Sequence, residues 1–126
     1  MLIAENGTET RTKEECCKFL RPVRDVMDLL NGKWKIPILT VLLSGSRGFN
    51  EMKEEIDGIS AKMLSKELQE LELNKLVNRQ VLDTKPITVE YSITDYGATL
   101  EDLIAEMSRW GQEHRNRIMG RKDQVV

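Results

Sequence analysis

The stretch of residues 48–75 constrains the fold of this chain more than any other part. Apolar side chains recur at helical spacing on both sides of a short break, at Phe49, Met52, Ile56, Leu64, Leu68 and Leu71. The break, Asp57-Gly58-Ile59, is a glycine-bearing turn of the length that joins the two helices of a helix-turn-helix. Ser60 follows the turn, where its hydroxyl can accept a hydrogen bond from a backbone N–H as a helix N-cap. The stretch therefore predicts two short helices that meet at a tight turn.

The outward face of the second helix has the chemistry of a DNA-reading surface. Its side chains are small, cationic or amide-bearing, with no acid before Glu67, and they are Ser60, Ala61, Lys62, Ser65, Lys66 and Gln69. In a major groove, which such a helix enters N-terminus first, lysine pairs with guanine edges and glutamine with adenine edges. We therefore predict that Lys62, Ser65, Lys66 and Gln69 approach base edges. A solvated polar face is the ordinary alternative, and Met63 is expected to pack inside rather than touch a thymine methyl group.

An alternating pattern follows the second helix. Two runs have a period of two, the first at Val77, Arg79 and Val81 and the second at Val89, Tyr91 and Ile93, and Asp83-Thr84-Lys85-Pro86 lies between them. This pattern predicts a β-hairpin, and a hairpin directly after a helix of this kind is a wing. Four cations around the paired helices and the wing are predicted to contact phosphates, namely Lys33, Arg47, Arg79 and Lys85. The helix N-terminus at Ser60 is predicted to do the same.

Further helices are predicted on the N-terminal side. Residues 1–13 are interpreted as a mobile arm, and a helical pattern begins at Glu14. Arg21-Pro22 predicts a break, because proline fits the first turn of a new helix. That helix is predicted to have an apolar stripe and to end at Asn31-Gly32 with a left-handed C-cap; the stripe is Val23, Val26, Met27 and Leu30. The apolar run of residues 33–43 predicts a central buried helix with Pro37 close to its start.

A long amphipathic helix is predicted after the hairpin, with its N-cap at Thr94-Asp95. Its stripe is longer than a small core needs and consists of Leu100, Leu103, Ile104, Met107, Trp110, Gly111 and His114. This length indicates a dimer interface, which we predict at Leu100, Leu103, Met107 and Trp110. Residues 17–20 are expected to contribute to the same interface. Wrapping of the core is the alternative role for this helix. Residues 14–119 then form one DNA-binding and dimerisation domain, and residues 120–126 form a basic tail.

Length and composition narrow the classes of function. A chain of 126 residues that is 40% hydrophobic and 32% charged is expected to form one globular domain. Its net charge of −2 limits any nucleic-acid contact to a local patch. The sequence shows neither an apolar run of membrane-spanning length nor a signal-peptide pattern, so we expect a cytoplasmic protein with no membrane partner.

The sequence offers no constellation for catalysis. There is one histidine, His114, and no glycine-rich phosphate loop, so we predict no enzymatic activity and no cofactor. Cys16 and Cys17 with one distant histidine are too few for a zinc site, and we predict no metal. Three roles stay open for the cysteines. They are ordinary thiols, the commonest case, or they sense an oxidant or quinone, or they bind a soft metal ion or an arsenical.

The order of these elements resembles that of the HxlR-type winged-helix transcriptional regulators, within the MarR-like superfamily. The matching positions extend over residues 22–114 and include Pro22-Val23, Gly32-Lys33-Trp34, Ile59-Ser60, Lys62-Met63-Leu64 and Val89-Glu90-Tyr91-Ser92-Ile93-Thr94. The resemblance implies a homodimer on pseudo-palindromic double-stranded DNA. It also implies that the helix from Ser60 reads the major groove and that the wing lies along the backbone or minor groove.

Two positions depart from the family pattern. Many members carry a cysteine before the Pro-Val pair, where this chain has Arg21, so a sensing role does not carry over to Cys16 or Cys17 by position. Pro37 stands where the family has an aliphatic residue. We predict a mainly α winged helix-turn-helix with a small β-hairpin (α+β), dimeric through its terminal helix. The predicted function is sequence-specific transcriptional regulation, with a redox or small-molecule signal as a candidate input. A winged-helix module that binds protein through the same helix is the alternative.

Overall fold

The computed structural model describes residues 12–125, with side chains described through residue 120. The described chain divides into two compact units, residues 12–32 and residues 33–125. The predicted mobile arm falls almost entirely on residues 1–11, which lie outside the described residues.

The N-terminal unit contains one helix, α1 (Lys13–Leu29). Thr12 caps it with a capping box, in which the Thr12 hydroxyl accepts from the Glu15 N–H at 3.2 Å and the Glu15 carboxylate accepts from the Thr12 N–H at 3.3 Å. The predicted break at Arg21-Pro22 is wrong, because α1 runs through Pro22 without ending. Proline removes one helical hydrogen bond, but helix-forming residues on both sides and the capped start sustain the helix across it.

The apolar stripe of α1 is mostly exposed. None of the residues in α1 is buried, and Val23, Val26 and Met27 are exposed; only Leu30, at the C-cap, is buried. Gly32 adopts φ of +79°, so the left-handed residue lies two positions beyond the C-cap rather than next to it.

The second unit holds the other helices and the sheet. In chain order these are α2 (Lys35–Leu43), β1 (Arg47–Gly48), α3 (Phe49–Glu55), α4 (Ala61–Leu73), β2 (Val77–Leu82), β3 (Thr88–Ile93), α5 (Asp95–Ala98) and α6 (Glu101–Val125). The predicted fold class is confirmed: the protein is mainly helical, with a helix-turn-helix followed by a β-hairpin wing.

Helix α2 is the centre of the core, as its apolar sequence predicts. Ile38, Leu39 and Leu42 are almost completely excluded from water, and Pro37 lies in the first turn, where its missing N–H costs nothing. Around α2 lie buried side chains of the other elements, namely Met52, Ile56, Ile59, Leu64, Leu68, Leu71, Leu76, Val77 and Ile104. Each fully buried aliphatic side chain contributes about 1.5–3 kcal/mol by leaving water.

The sheet has three strands rather than the two of a hairpin. Its order is β1-β3-β2, with both pairs antiparallel. β1 pairs Arg47 with Tyr91 and Gly48 with Glu90, so the residues just before α3 are tied to the wing. A strand of two residues has no period to detect, which is why the sequence pattern did not reveal it.

The C-terminal helix begins later than predicted. Thr94 does act as an N-cap, accepting from the Gly97 N–H at 2.8 Å, but the helix that it caps is the short α5. Helix α6 starts at Glu101, after the turn at Thr99 and Leu100, and its helical backbone continues to Val125 through the predicted tail. In the part of the chain that the structure describes, none of the helices has the length and apolar character needed to cross a membrane.

Candidate nucleic-acid interface

Helix α4 presents a polar face framed by the turn that precedes it. Ser60 is its N-cap, as predicted, with its hydroxyl accepting from the Met63 N–H at 3.1 Å. Gly58 adopts φ of +86°, a conformation that favours glycine and directs the chain into the cap. All of the side chains predicted to approach bases are exposed, namely Lys62, Ser65, Lys66 and Gln69. Met63 is half-buried, in line with the packing role favoured for it.

The opposite face of α4 is fixed in the core. Leu64, Leu68 and Leu71 are buried at the 3–4 residue spacing of one helical side. The same leucines that hold α4 against the core therefore turn its polar side chains toward solvent. The N-terminus of α4 carries no acidic residue in its first turn, which leaves its positive dipole end available to an anion.

A buried ion-pair cluster joins α4 to α2. Lys35, at the first position of α2, is 2% exposed, and its Nζ donates to Glu67 Oε2 at 2.7 Å and to Glu70 Oε2 at 2.6 Å. The Glu67 side chain is almost as buried as that of Lys35, whereas the Glu70 side chain is 43% exposed. We call these three residues the Lys35 cluster.

Two pKa values in the Lys35 cluster are displaced. Burial lowers the pKa of Lys35, but the hydrogen bonds and negative charges of Glu67 and Glu70 outweigh burial and raise it above its ordinary value. The hydrogen bond from Lys35 and its positive charge hold the pKa of Glu70 below its ordinary value. Both shifts favour the charged forms of Lys35 and Glu70.

Sequence reasoning missed this cluster. In the sequence, Glu67 ends the acid-free stretch of the second predicted helix, and Lys35 stands in the opening of an apolar helix. The available signal was the position of a lysine in a run that must be buried, together with a glutamate next to Leu68 on the inward side of α4. A buried charge requires a partner of opposite sign, so each of these residues predicts the other.

The two predicted phosphate contacts in the helical part, Lys33 and Arg47, differ in their exposure and in the groups that they contact. Lys33 is exposed, and its Nζ lies 4.7 Å from the ring centroid of Trp34 in a cation–π contact. Arg47 is half-buried, and its Nε donates to Glu55 at 3.0 Å. Its Nη1 and Nη2 donate to the turn before β1, at Gly45 O, Ser46 O and Ser44 Oγ. Arg47 therefore also fixes the turn that leads into the helix-turn-helix.

The wing carries the other two predicted phosphate contacts. Arg79 on β2 is exposed and pairs with Tyr91 on β3, so the two side chains lie on the same face of the sheet. Lys85 lies in the loop between the strands, is exposed, and precedes Pro86 with a cis peptide bond. The exposed wing also includes apolar residues, with Val81 at 54% and Ile87 at 68% exposure.

The remaining predicted sites lie outside this interface. Cys16 and Cys17 are both exposed free thiols on α1, in the other unit of the chain. On α6, Leu103, Met107 and Trp110 are exposed, with Trp110 at 62%, whereas Leu100 is half-buried. Trp110 stacks on His114 with ring centroids 5.4 Å apart. Among the described side chains, no group of three histidine, cysteine or acidic residues could hold a metal ion.

Comparison with known proteins gives the family. The HxlR-like helix-turn-helix model matches residues 29–119, which include the whole helix-turn-helix and the wing. The chain belongs to the HxlR-like helix-turn-helix family. It is 39% identical over 97 residues to the HTH-type transcriptional regulator YdeP of Bacillus subtilis (strain 168), covering 77% of this chain and 76% of YdeP. HxlR-like proteins of this kind are transcriptional regulators rather than enzymes, and the present chain is a transcriptional regulator of the helix-turn-helix type.

Solved structures of HxlR-like relatives superimpose closely. The redox regulator HypR in its reduced form has a TM-score of 0.73 and 35% identity, covering 79% of this chain and 98% of HypR. The quinone-bound form of YodB from B. subtilis has a TM-score of 0.63 and 34% identity, covering 74% of this chain and 98% of YodB. The predicted HxlR-type resemblance is thus confirmed at the level of both sequence and fold.

Proposed function

We propose that this HxlR-like regulator binds a pseudo-palindromic DNA site as a homodimer and controls transcription in the cytoplasm. One observation carries the proposal: the exposed face of α4 includes Lys62, Ser65, Lys66 and Gln69, while its opposite face is fixed in the core. A helix with this division can enter a major groove and offer donors to base edges. Helix-turn-helix regulators as a class bind DNA, and the family supports that general activity for this chain.

The recognition helix and the wing have different roles in this proposal. Lys62 and Lys66 are four residues apart on α4, so they point to the same side of the helix and read bases. Arg79, Lys85, Lys33 and the N-terminus of α4 at Ser60 contact phosphates and set the position of the protein on the duplex. Arg47 contributes a weaker phosphate contact, because its guanidinium also bonds the turn before β1 and Glu55.

The two-fold symmetry is supported by α6. Leu103, Met107 and Trp110 form an exposed apolar face along this helix, continued at its base by the half-buried Leu100. A second copy of the chain covers such a face in a two-fold dimer and presents two recognition helices to two half-sites. The segment at residues 17–20 is proposed to contribute to the same dimer interface, since Phe19 and Leu20 are also exposed.

Binding measurements on selected and scrambled DNA test the two roles. A duplex chosen by the wild-type protein from a random-sequence pool serves as the specific site. Lys66→Ala should lose about 1–3 kcal/mol on that duplex and relax the preference at one base pair. Lys85→Ala should weaken both duplexes alike and lower the slope of log affinity against log salt by about one for each phosphate that the protein no longer neutralises.

Glu54→Gln, on the exposed back of α3, is a matched control that should leave the preference between the two duplexes unchanged. Alanine variants of Lys62, Ser65, Lys66 and Gln69 that all lose the same affinity for both duplexes would show that α4 does not read sequence. Binding to neither duplex, or binding that does not depend on salt, would favour a protein-binding module instead.

A redox input is proposed for the two thiols of α1. HypR is described as a redox regulator, and YodB has been solved with a bound quinone. Cys16 and Cys17 are exposed, which oxidation requires. Adjacent cysteines would close a strained ring, so we propose that one thiol from each subunit forms the disulfide. Hydrogen peroxide takes up the two hydrogens and two electrons and yields two water molecules.

The test compares wild-type protein with Cys16→Ser/Cys17→Ser on the selected duplex before and after peroxide. We expect peroxide to change the affinity of the wild type and to produce a covalent dimer on non-reducing gels. The double variant should show neither change. An unaltered peroxide response in the double variant would exclude these thiols as the sensor.

A further inference from the structure

The Lys35 cluster places buried charged side chains in a core where apolar ones are usual. Its three charged groups lie between α2 and α4, directly behind the helix proposed to read DNA. A buried salt bridge contributes little net stability compared with a well-packed apolar replacement, because both charges lose their hydration. The presence of one at this particular contact therefore calls for a different explanation.

We infer that the Lys35 cluster positions the recognition helix, with Lys35 fixing the rotation of α4 about its axis and so the direction of the base-reading side chains. Lys35 and Glu67 are positioning residues and do not themselves touch DNA. This inference rests on the proposed function of α4 as the DNA-reading element.

Helical geometry connects the cluster to the reading face. Ser65 and Gln69 stand two residues before and after Glu67, which places each of them about 200° around the helix from it. When the Glu67 carboxylate is held 2.7 Å from Lys35 Nζ, Ser65 and Gln69 must point the opposite way. Glu70 adds a second bond at 2.6 Å, so two points on α4 are fixed to one ammonium group.

Packing of the leucines alone would fix the rotation of α4 about its axis less tightly than the Lys35 cluster does. Leu64, Leu68 and Leu71 form a broad apolar face, and apolar contacts tolerate small rotations because they have no preferred direction. Hydrogen-bonded ion pairs do have a preferred direction and distance. A displacement of about 1 Å is enough to break a hydrogen bond to a base edge, so the angle of α4 matters more for specificity than for stability.

The test replaces the buried pair by apolar side chains of similar length in the full-length protein. Lys35→Met/Glu67→Met removes both buried charges and leaves only the carboxylate of Glu70, which is exposed enough to be hydrated. We expect the variant to fold with a similar unfolding midpoint. Its preference for the selected duplex over the scrambled duplex should fall about tenfold, the effect of removing one good hydrogen-bonded base pairing. Its binding to scrambled DNA and its salt slope should stay close to wild type.

Glu72→Gln is the matched control for charge. It removes one negative charge from the exposed part of the same helix without altering the Lys35 cluster. This variant should bind both duplexes slightly more tightly and keep the wild-type preference. A loss of preference in Glu72→Gln equal to that of the double variant would show that the loss of a carboxylate from α4, and not the position of the helix, is responsible, and would overturn the inference.

A structure of the double variant without DNA provides an independent measurement. The inference requires α4 to be rotated relative to α2 when the two structures are superimposed on α2 and β3. An unmoved α4 overturns the positioning role, whatever the binding data show. The two conclusions can also fail separately. If α4 is rotated in the double variant but the wild type does not distinguish the two duplexes, the positioning role is supported and the proposed function is refuted.

Discussion

Gly97 is a residue at which the fold leaves no room for a side chain. A Cβ at this position would overlap the carbonyl oxygen of Leu76 and would lie 2.7 Å from Ile93 Cγ1. The first of these is a backbone atom that cannot move aside. Gly97→Ala should therefore lower the free energy of unfolding by at least about 3 kcal/mol, measured by urea denaturation.

Gly120→Ala is the control for this substitution, because no atom lies within 4 Å of the added Cβ. It should leave the unfolding midpoint unchanged or raise it slightly, since alanine is the better helix former. If Gly97→Ala proved as stable as Gly120→Ala, the close contact between α5 and the start of β2 would be incorrect.

Lys75 is the opposite case, a position where glycine should stabilise the fold. It terminates α4 with φ of +66°. The Leu76 N–H bonds to Leu71 O and the Lys75 N–H bonds to Glu72 O, each at 3.0 Å, which is the pattern of a Schellman C-cap. Glycine adopts this conformation without steric cost, so Lys75→Gly should raise the free energy of unfolding by about 1 kcal/mol.

The neighbouring Asn74 has φ of −86° and donates a side-chain bond to Glu70 O at 3.0 Å. Asn74→Gly should therefore lower the unfolding free energy while Lys75→Gly raises it. The same sign for both substitutions would contradict the left-handed conformation at Lys75.

Between elements, the contact of α2 with α4 should make stability depend on pH. The folded-state pKa of Glu70 is below its ordinary value of 4.5, so its contribution is present above that pH and is lost as pH falls through the lowered pKa. The pKa of Lys35 is above its ordinary value of 10.5, so its contribution is present below that pH and is lost as pH rises through the raised pKa.

Glu70→Gln tests the acid side of this dependence. The gap in unfolding free energy between wild type and Glu70→Gln should be widest at neutral pH and should close on acidification below pH 4.5. Glu72→Gln, on the same helix but outside the Lys35 cluster, should show no such closing gap. A constant gap for Glu70→Gln from neutral to acidic pH would mean that Lys35 does not bind the Glu70 carboxylate in solution.

The elements that carry strong periodicity could be predicted from sequence. The leucines of α4 repeat at 3–4 residues and the wing strands repeat at two, and both appear where the pattern predicts them. Three features without such a pattern were missed or misplaced: the two-residue β1, the separation of α5 from α6, and the continuation of α1 through Pro22. Each depends on tertiary pairing or on neighbouring residues rather than on local composition.

The candidate site was predictable on its exposed side only. Residue type and helical spacing identify which side chains of α4 face outward, because burial of the leucines determines the other face. The Lys35 cluster joins residues 32 and 35 positions apart in the chain. A contact of that separation leaves no periodic pattern, and only the two charges in apolar surroundings, Lys35 in an apolar run and Glu67 beside Leu68, indicate it.

For the whole molecule, α6 is the element on which dimerisation is expected to depend. Met107→Glu/Trp110→Glu should convert the dimer to a monomer, because two carboxylates would be buried without partners in the interface. Sedimentation velocity measures the mass, and the selected duplex should then be bound more weakly and without two-site cooperativity. Ala105→Gln, at another exposed position of α6, is the control and should remain dimeric.

A dimer of unchanged mass after Met107→Glu/Trp110→Glu would show that a different surface joins the subunits. Leu103→Glu would then be uninformative, since it lies on the same face, and the exposed apolar residues of α1 would be the next surface to alter.

The base of the wing is held together by hydrogen bonds that do not involve the tip. Thr94 donates its backbone N–H to Leu76 O at 3.0 Å and its hydroxyl to Lys75 O at 2.7 Å, and it caps α5 with the same oxygen. These bonds join the end of α4, the start of β2 and the end of β3, whereas residues 83–87 of the tip are exposed. Insertions, deletions and drift in the tip therefore carry little folding penalty. We therefore expect substitutions confined to the tip to change the proposed DNA contact of the wing while the base, and with it the end of α4, keeps its structure.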